Sequence, residues 1–271
     1  MNQQIYGECV RGESHIRKGI ECQDSKKVLV LENGTIIIAV ADGHGSSQCP
    51  FSKSGSMIAT NVFCDIICKL LERFDKDING LGQYLSCDCK YELAREVEAE
   101  WKKRVYKAYL KRKLKNTANE SKITDKQSVY KQYGTTLLGL LLTSEFVFAF
   151  QLGDGDIMYI NTEKTESIIE PEKILGIETH SLCKDDAWKK TETFFSLRNN
   201  IDSECLYLLS TDGFSNSHKT SHDFYLTCKE YLTMIKEYGF DTVSANLKSW
   251  LKETSKLGCG DDITVVMCYC K

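Results

Sequence analysis

The sequence of 271 residues lacks most features of secreted, membrane-spanning or nucleic-acid-binding proteins. It has two prolines and no Gly/Ser-rich linker, so nothing marks a domain boundary and we expect one domain over 1–271. The net charge of −3 provides no basic excess for nucleic acid or an anionic membrane surface. No signal-peptide pattern is visible, and the longest apolar runs, Ile36–Ala41 and Leu137–Leu142, are too short to span a bilayer.

Cysteine is frequent, with 13 residues, but no Cys-x-x-Cys pair occurs, which argues against a zinc ribbon. An odd number of cysteines without a signal peptide also argues against a secreted disulfide scaffold. We interpret most of these residues as small buried side chains in a reducing compartment. The sequence therefore predicts a cytoplasmic protein.

Hydrophobic periodicity predicts short strands and separate helical blocks. An Asn-Gly pair at 33–34 predicts a hairpin between the first two strands. Hairpin runs without regular strand–helix alternation indicate an α+β fold with mainly antiparallel sheet. We expect strands at 27–31, 35–41, 135–142, 146–152, 157–160, 167–169, 205–210 and 263–269, and helices at 54–74, 224–238 and 242–255.

A segment rich in lysine, arginine and glutamate covers residues 76–132. Within it, apolar residues such as Leu93, Val97, Trp101 and Val105 recur at steps of three or four, which predicts an amphipathic helix near 83–115. We interpret its charges as a solvated face rather than as a docking surface.

Aspartate stands beside glycine or a second aspartate at four strand ends, in the turns that contain Asp42, Asp154, Asp212 and Asp261. One Asp-Gly pair is typical of a plain turn. Several carboxylates that converge repel one another, and a hard divalent cation such as Mg²⁺ or Mn²⁺ offsets that repulsion. Four such turns at rigid strand ends therefore predict a metal site.

Together with neighbouring motifs, these turns resemble the PP2C-type (metal-dependent) protein phosphatases. Gly-Glu-Ser-His at 12–15 and Cys-Gln-Asp at 22–24 resemble a bacterial branch of that family. The motifs occur in the family's order and extend over nearly the whole chain. They are Asp-Gly-His-Gly at 42–45, Gly-Thr-Thr at 134–136, Leu-Gly-Asp-Gly at 152–155, Ser-Thr-Asp-Gly at 210–213 and Gly-Asp-Asp-Ile-Thr at 260–264.

The resemblance implies a PP2C-like β-sandwich of two antiparallel sheets flanked by helices, in α-β-β-α layers. It implies two or three Mn²⁺ or Mg²⁺ ions, two of them bridged by Asp42, and hydrolysis of phosphoserine or phosphothreonine by a metal-activated water. No cysteine nucleophile is needed, which distinguishes this reaction from that of the Cys-x5-Arg phosphatases. The implied metal ligands are Asp24, Asp42, Gly43 through its carbonyl, Asp154, Asp212 and Asp261.

The proton donor stays open at this level. His15 and His44 are the candidates for donating a proton to the leaving alkoxide, because histidine titrates in the required range. For each histidine the alternative is a structural hydrogen bond to the backbone near its turn.

The sequence departs from the family at the phosphate-binding arginine, which many members carry five residues before Asp24. Gly19 occupies that position here. Arg17 and Lys18 are candidate replacements, with Lys53 as a further one, and each could equally be a surface charge. Asp262 stands where asparagine is usual, and the segment near 169–200 falls where the family has a variable flap.

Two other functions remain open. The chain could be a catalytically silent PP2C-like binding module, favoured by the missing arginine and opposed by the retained carboxylates. It could also be another two-metal hydrolase, although its net negative charge argues against a polyanionic substrate. The expected partners are a phosphorylated protein substrate and a cognate Ser/Thr kinase, with no nucleic acid and no membrane.

Overall fold

The computed structural model describes residues 3–75, 77–87, 89–115, 125–170, 179–198 and 204–271. The strands of this part of the chain are β1 (Gln3–Val10), β2 (Ser25–Val30), β3 (Ile36–Ala41), β4 (Leu137–Leu142), β5 (Phe146–Leu152), β6 (Asp156–Ile160), β7 (Thr165–Ser167), β8 (Glu192–Leu197), β9 (Cys205–Ser210) and β10 (Ile263–Cys270). The helices are α1 (Glu13–Lys18), α2 (Ser52–Arg73), α3 (Ile78–Ser86), α4 (Cys89–Lys115), α5 (Lys126–Lys131), α6 (Asp212–Ser215), α7 (Ser221–Tyr238) and α8 (Phe240–Leu257), with a 3₁₀ helix at Ala187–Lys190.

Two five-stranded antiparallel sheets pack face to face, in the orders β1-β10-β9-β6-β7 and β2-β3-β4-β5-β8. Central strands such as β3, β4 and β9 are buried on both faces, which explains their continuous apolar sequences. One core lies between the sheets, a second under α2 to α4, and a third under α7 and α8. The predicted α-β-β-α sandwich is confirmed.

Helix α2 is, among the helices of the described residues, the one long and apolar enough to cross a membrane. It packs instead on β2, β3 and α4. Its apolar stripe, which includes Phe63 and Ile67, is fully buried in the core beneath the second sheet. Its composition is therefore that of a core helix.

The predicted strands and longer helices are present, with ends shifted by up to about three residues, except that the helix predicted near 83–115 is divided into α3 and α4. Residues 33–34 form the β2–β3 turn, where Gly34 has a φ of +79° and Asn33 Oδ1 accepts a hydrogen bond from the Thr35 amide at 3.0 Å. The predicted hairpin is therefore confirmed. The elements that sequence patterns did not predict are β1, α1, α5, β8, α6 and the 3₁₀ helix.

The charged segment forms α3 and α4, and the interpretation of its charges as a solvated face is wrong for two side chains. Glu98 is buried, and its Oε2 accepts a hydrogen bond from the Trp188 amide at 2.8 Å. Lys102 Nζ donates to Glu98 Oε1 at 2.6 Å and to the Lys184 carbonyl at 3.1 Å. These two side chains fix the segment that follows residue 179 onto α4.

Part of the segment near 169–200, where the resemblance implied a variable flap, belongs to the second sheet. Glu192–Leu197 forms β8, which pairs with β5 and extends the second sheet. Positions 171–178 and 199–200 lie outside the described residues.

Candidate metal and active site

Asp42 lies directly after β3, and the Gly-Thr-Thr motif fixes its backbone. The Asp42 carbonyl accepts hydrogen bonds from the Thr136 amide at 2.9 Å and the Thr135 hydroxyl at 2.7 Å. The Asp42 amide donates to Thr136 Oγ1 at 3.0 Å. These three bonds hold the Asp42 side chain at the strand end, so the threonines act on the site through its backbone.

Gly43 occupies a position that no other residue would fit. A Cβ at Gly43 would lie 2.6 Å from the Gln23 carbonyl oxygen and 2.9 Å from the Ser52 backbone. The turn at Asp42 and the segment that leads to Asp24 can therefore approach each other closely.

Asp24 is buried just before β2 and joins three of the sequence motifs. Its Oδ2 accepts hydrogen bonds from the Thr211 and Thr264 hydroxyls, both at 2.8 Å. Its Oδ1 is also buried and receives no hydrogen bond from the described residues. Burial is the largest cause that raises the pKa of Asp24 well above its usual range, followed by the charges of Cys9 and Asp262.

The carboxylate of Asp42 lies among three others. Burial raises its pKa well above the usual range, and repulsion from Asp212, Asp24 and Asp261 raises it further. These four aspartates come from four different strand ends. A buried acid surrounded by like charges is destabilised when ionised, and this is the electrostatic condition that a divalent cation offsets.

Asp212 and Asp261 lie at the first residue of α6 and just before β10. Asp212 Oδ2 accepts a hydrogen bond from Asn216 Nδ2 at 2.8 Å. A Cβ at Gly213 would lie 2.0 Å from the Asp262 carbonyl oxygen, so only glycine lets α6 approach the turn before β10. The side chain of Asp261 is about half exposed and lines a cavity of about 570 Å³ together with Asp42.

Asp154 lies at the edge of this arrangement, in the turn between β5 and β6 where Gly153 has a φ of +114°. Its Oδ2 accepts a hydrogen bond from the Thr179 hydroxyl at 2.6 Å, and Thr179 lines the cavity. Asp154 itself is not part of the cavity lining and adjoins the cavity through Thr179.

The donor atoms fit hard divalent cations in type. All four gathered side chains are carboxylates, and Asp24 Oδ1 is a buried acceptor without a donor. Within the described residues, no three His, Cys, Asp or Glu side chains are already arranged to hold one ion by themselves. Mg²⁺ commonly keeps several waters and uses only one or two carboxylates, so this arrangement is compatible with such ions.

Both candidate histidines line the cavity. His15 is buried, with Nδ1 2.9 Å from Asp262 Oδ1 and Nε2 3.7 Å from Asp261 Oδ1. His44 is half-buried, and its amide donates to the Gly134 carbonyl at 3.1 Å. The His15 ring thus stands beside two carboxylates and His44 lines the same cavity, and their role as proton donors stays a prediction.

The two basic candidates differ in position. Lys18 lines the cavity. Arg17 is exposed, its guanidinium lies 3.8 Å from Glu13 Oε1, and it is not part of the cavity lining. Lys53 Nζ lies 2.6 Å from Glu21 Oε2 at the surface. Of the three cations, Lys18 is the one that lines the cavity.

Asp262 has a role that the sequence did not reveal. It is buried, and its two oxygens accept hydrogen bonds from the Gly12 amide at 2.6 Å and the Gln23 amide at 2.7 Å. The residue therefore ties both N-terminal motifs to the turn before β10. Aspartate suits this position better than asparagine, because both of its oxygens can accept.

Replacing Asp262 with alanine is expected to lower the free energy of unfolding by roughly 2–4 kcal/mol, because two buried amides lose their acceptors. Relief of the repulsion between Asp262 and Asp24 offsets part of this loss. Urea unfolding measures the effect, and Asp262→Asn, which keeps one acceptor, should lose less. A loss below about 1 kcal/mol for Asp262→Ala would contradict the assigned role.

Solved structures of bacterial phosphatases have the same fold. Stp1, a serine/threonine phosphatase from Staphylococcus aureus, is 15% identical, with 100% of this chain and 96% of that chain covered at a TM-score of 0.65. A bacterial serine phosphatase is 16% identical, with 100% and 98% covered at a TM-score of 0.64. The catalytic domain of PstP, solved with two manganese ions, is 16% identical, with 98% and 97% covered at a TM-score of 0.57.

At these identities the likeness establishes the fold of such phosphatases, and the family follows from sequence. A family profile described as protein phosphatase 2C matches residues 11–252. The chain therefore belongs to the protein phosphatase 2C family, as its motifs predicted. No curated protein shows significant sequence similarity to it.

Proposed function

We propose that the protein is a metal-dependent phosphatase that hydrolyses phosphoserine or phosphothreonine in proteins. The observation that carries the proposal is the meeting of four aspartates from four strand ends, where burial and then mutual repulsion raise the pKa of Asp42. Family membership supports the same reaction class.

Asp24, Asp42, Asp212 and Asp261 are the proposed ligands of the catalytic ions, with the Gly43 carbonyl as an additional donor and Asp154 as the ligand of a third, weaker site. When bound, Mn²⁺ or Mg²⁺ ions lower the pKa of water and offset charge on the phosphoryl oxygens. The chain itself positions the proposed ligands. Hydrogen bonds of Thr135 and Thr136 fix Asp42, and hydrogen bonds of Thr211 and Thr264 fix Asp24.

Proton donation to the leaving oxygen is assigned to His15 or His44, both of which line the cavity. His15 has the more defined environment, because Asp262 contacts its Nδ1 and leaves Nε2 on the side of Asp261. Lys18, in the same lining, is the better placed of the two basic candidates for contact with a phosphoryl group.

A cysteine-based phosphatase mechanism is disfavoured. The Cys-x5-Arg spacing occurs once, at Cys89 and Arg95, but both residues belong to the continuous helix α4 rather than to a phosphate-binding loop. The Arg95 guanidinium lies 3.9 Å from the ring centroid of Trp188. The spacing is therefore incidental.

The twelve cysteines with described side chains are free thiols. This agrees with the reducing cytoplasm that we propose as the location of the protein. A Ser/Thr kinase that forms the phosphorylated substrate is the proposed functional counterpart.

Removal of divalent cations is expected to abolish hydrolysis of p-nitrophenyl phosphate, because the carboxylates alone cannot activate water. Dialysis against EDTA followed by titration with Mn²⁺ should remove and then restore release of p-nitrophenol. A phosphothreonine peptide should follow the same dependence. Activity that survives exhaustive chelation would refute the mechanism.

The same assay separates the alternatives. Absence of turnover with either cation would indicate a silent binding module. Hydrolysis of nucleotides in preference to phosphopeptides would indicate a different two-metal hydrolase.

A further inference from the structure

The cavity beside the four aspartates carries charges of both signs. Among the described residues, its charged lining consists of Asp42 and Asp261 on the metal side and of three lysines elsewhere. We call these lysines the lysine wall; its members are Lys18 at the end of α1, Lys131 at the end of α5 and Lys184 after Ser181–Cys183. The chain as a whole is negatively charged. The charged residues that line the cavity therefore carry a net positive charge, opposite in sign to the net charge of the whole chain.

The charge of the cavity changes further if ions are held as proposed. Cations on the metal side offset the charges of Asp42 and Asp261, whereas the lysine wall keeps its own. The net charge of the cavity is then set by the lysine wall and is positive. Such a concave positive surface attracts anionic groups and raises their rate of encounter at low ionic strength.

Hydrogen bonds from two helices hold the segment that carries Lys184. Gln127 Nε2 on α5 donates to the Cys183 carbonyl at 2.7 Å, and Lys102 Nζ on α4 donates to the Lys184 carbonyl at 3.1 Å. Glu98 accepts from the Trp188 amide a few residues further along. The backbone of this part of the lysine wall is therefore fixed before any substrate binds.

Helix α5, which carries Lys131, is fixed to the same support. Asp125 caps its first turn by accepting from the Gln127 and Ser128 amides, and the Tyr130 ring packs 6.4 Å from the ring of Trp101 on α4. The Lys131 carbonyl accepts from the amide of Gly134, the first residue of the Gly-Thr-Thr motif. Lys131 is thus positioned both by α4 and by the backbone that fixes Asp42.

We propose that the lysine wall selects phosphoproteins with acidic residues flanking the phosphorylated serine or threonine. This inference rests on the proposed function, because it assigns the substrate class of the same cavity. The phosphoryl group would bind on the side of the aspartates and their ions. Carboxylates of neighbouring substrate residues would then pair with the ammonium groups of the lysine wall, chiefly those of Lys131 and Lys184.

The test compares two phosphothreonine peptides of equal length, one with glutamates and one with alanines on both sides of the phosphothreonine, in the presence of Mn²⁺. Partly exposed ion pairs contribute little individually, so two or three of them predict roughly a tenfold higher kcat/KM for the acidic peptide. The preference should reside mainly in KM, because such contacts are made equally in the bound substrate and the transition state. It should also shrink in high salt.

The Lys131→Gln and Lys184→Gln double variant, which leaves the phosphoryl candidate Lys18 in place, should lose most of this preference. Lys229→Gln, which removes the same charge from the exposed side of α7, is the matched control and should keep it. Equal kcat/KM values for the two peptides in the wild type would overturn the inference. An equal loss on both peptides and on p-nitrophenyl phosphate in the double variant would also overturn it, because it would indicate contact with the phosphoryl group alone.

Failure of the proposed function gives a different result. In that case p-nitrophenyl phosphate is not hydrolysed, and calorimetric titration of the same two peptides still measures selection by the lysine wall. Tighter binding of the acidic peptide that is lost in the double variant would support the inference as binding without catalysis. Equal affinities would overturn it.

Discussion

Asp42→Asn is expected to reduce kcat more than about 100-fold, because Asp42 is itself a proposed metal ligand. Loss of only an outer-shell partner of a metal ligand typically costs about 10- to 100-fold in activity. Asp42 is the residue whose carboxylate meets those of Asp24, Asp212 and Asp261, so its loss removes the shared element of the site. Mn²⁺ affinity, measured by calorimetry, should fall with activity. Mn²⁺ should also raise the melting temperature of the wild type but not that of the variant, because an ion that binds only the folded state stabilises it.

The fold is expected to survive this substitution. The hydrogen bonds of Thr135 and Thr136 go to the Asp42 backbone, which asparagine retains. Burial, and after it repulsion from the neighbouring aspartates, raises the pKa of Asp42 in the folded state. Its ionisation at neutral pH without metal therefore costs stability, and Asp42→Asn should be at least as stable as the wild type. The exposed Asp241→Asn is the matched control. Unchanged Mn²⁺ affinity in Asp42→Asn would rule out the proposed site.

Trp101→Ala is expected to lower the free energy of unfolding by about 3–5 kcal/mol, the usual cost of removing a buried aromatic side chain. Trp101 is fully buried on α4, and its Nε1 donates to the Gly55 carbonyl of α2 at 3.0 Å. Gly55 packs directly against the backbone of Tyr133, since a Cβ at this position would lie 1.9 Å from the Tyr133 carbonyl oxygen. The variant therefore opens a cavity where α4, α2 and the approach to the Gly-Thr-Thr motif meet.

Urea unfolding measures this loss, with a midpoint that falls while the slope stays constant. Because natural domains are stable by only about 5–15 kcal/mol, Trp101→Ala could fail to accumulate as folded protein. Trp101→Phe keeps most of the packing, loses the bond to Gly55 and should cost about 1–2 kcal/mol. A loss of unfolding free energy below about 1 kcal/mol in Trp101→Ala would show that the packing of α4 on α2 is not essential for the stability of the fold.

Sequence patterns predicted the elements that are buried on both faces. The strands Phe146–Leu152 and Cys205–Ser210 begin and end where predicted, because continuous apolar runs between turn residues admit few alternatives. The unpredicted β1 (Gln3–Val10) and β8 (Glu192–Leu197) are edge strands with half-exposed side chains. Their pairing with β10 and β5, rather than their own periodicity, makes them strands.

The short helices have a similar explanation. Helix α1 has six residues, and its N-terminal end is held by contacts outside it: the Ser14 amide donates to the Gly260 carbonyl at 2.8 Å, and the Glu13 amide donates to Ser255 Oγ at 3.1 Å. Helices of this length are not stable alone, since nucleation is costly. Their formation depends on the packed fold.

The sequence by itself determined which residues could form the site. One Asp-Gly pair is typical of a turn, whereas several aspartates beside glycine at the ends of apolar strands together indicate a metal site. Only the tertiary structure decided how they are held. Asp24 is fixed by Thr211 and Thr264, which lie 187 and 240 positions away, and Asp262 binds Gly12 across 250 positions. The physical reason is that hydrophobic patterning fixes each strand locally, whereas hydrogen bonds between strand ends exist only after the two sheets have packed.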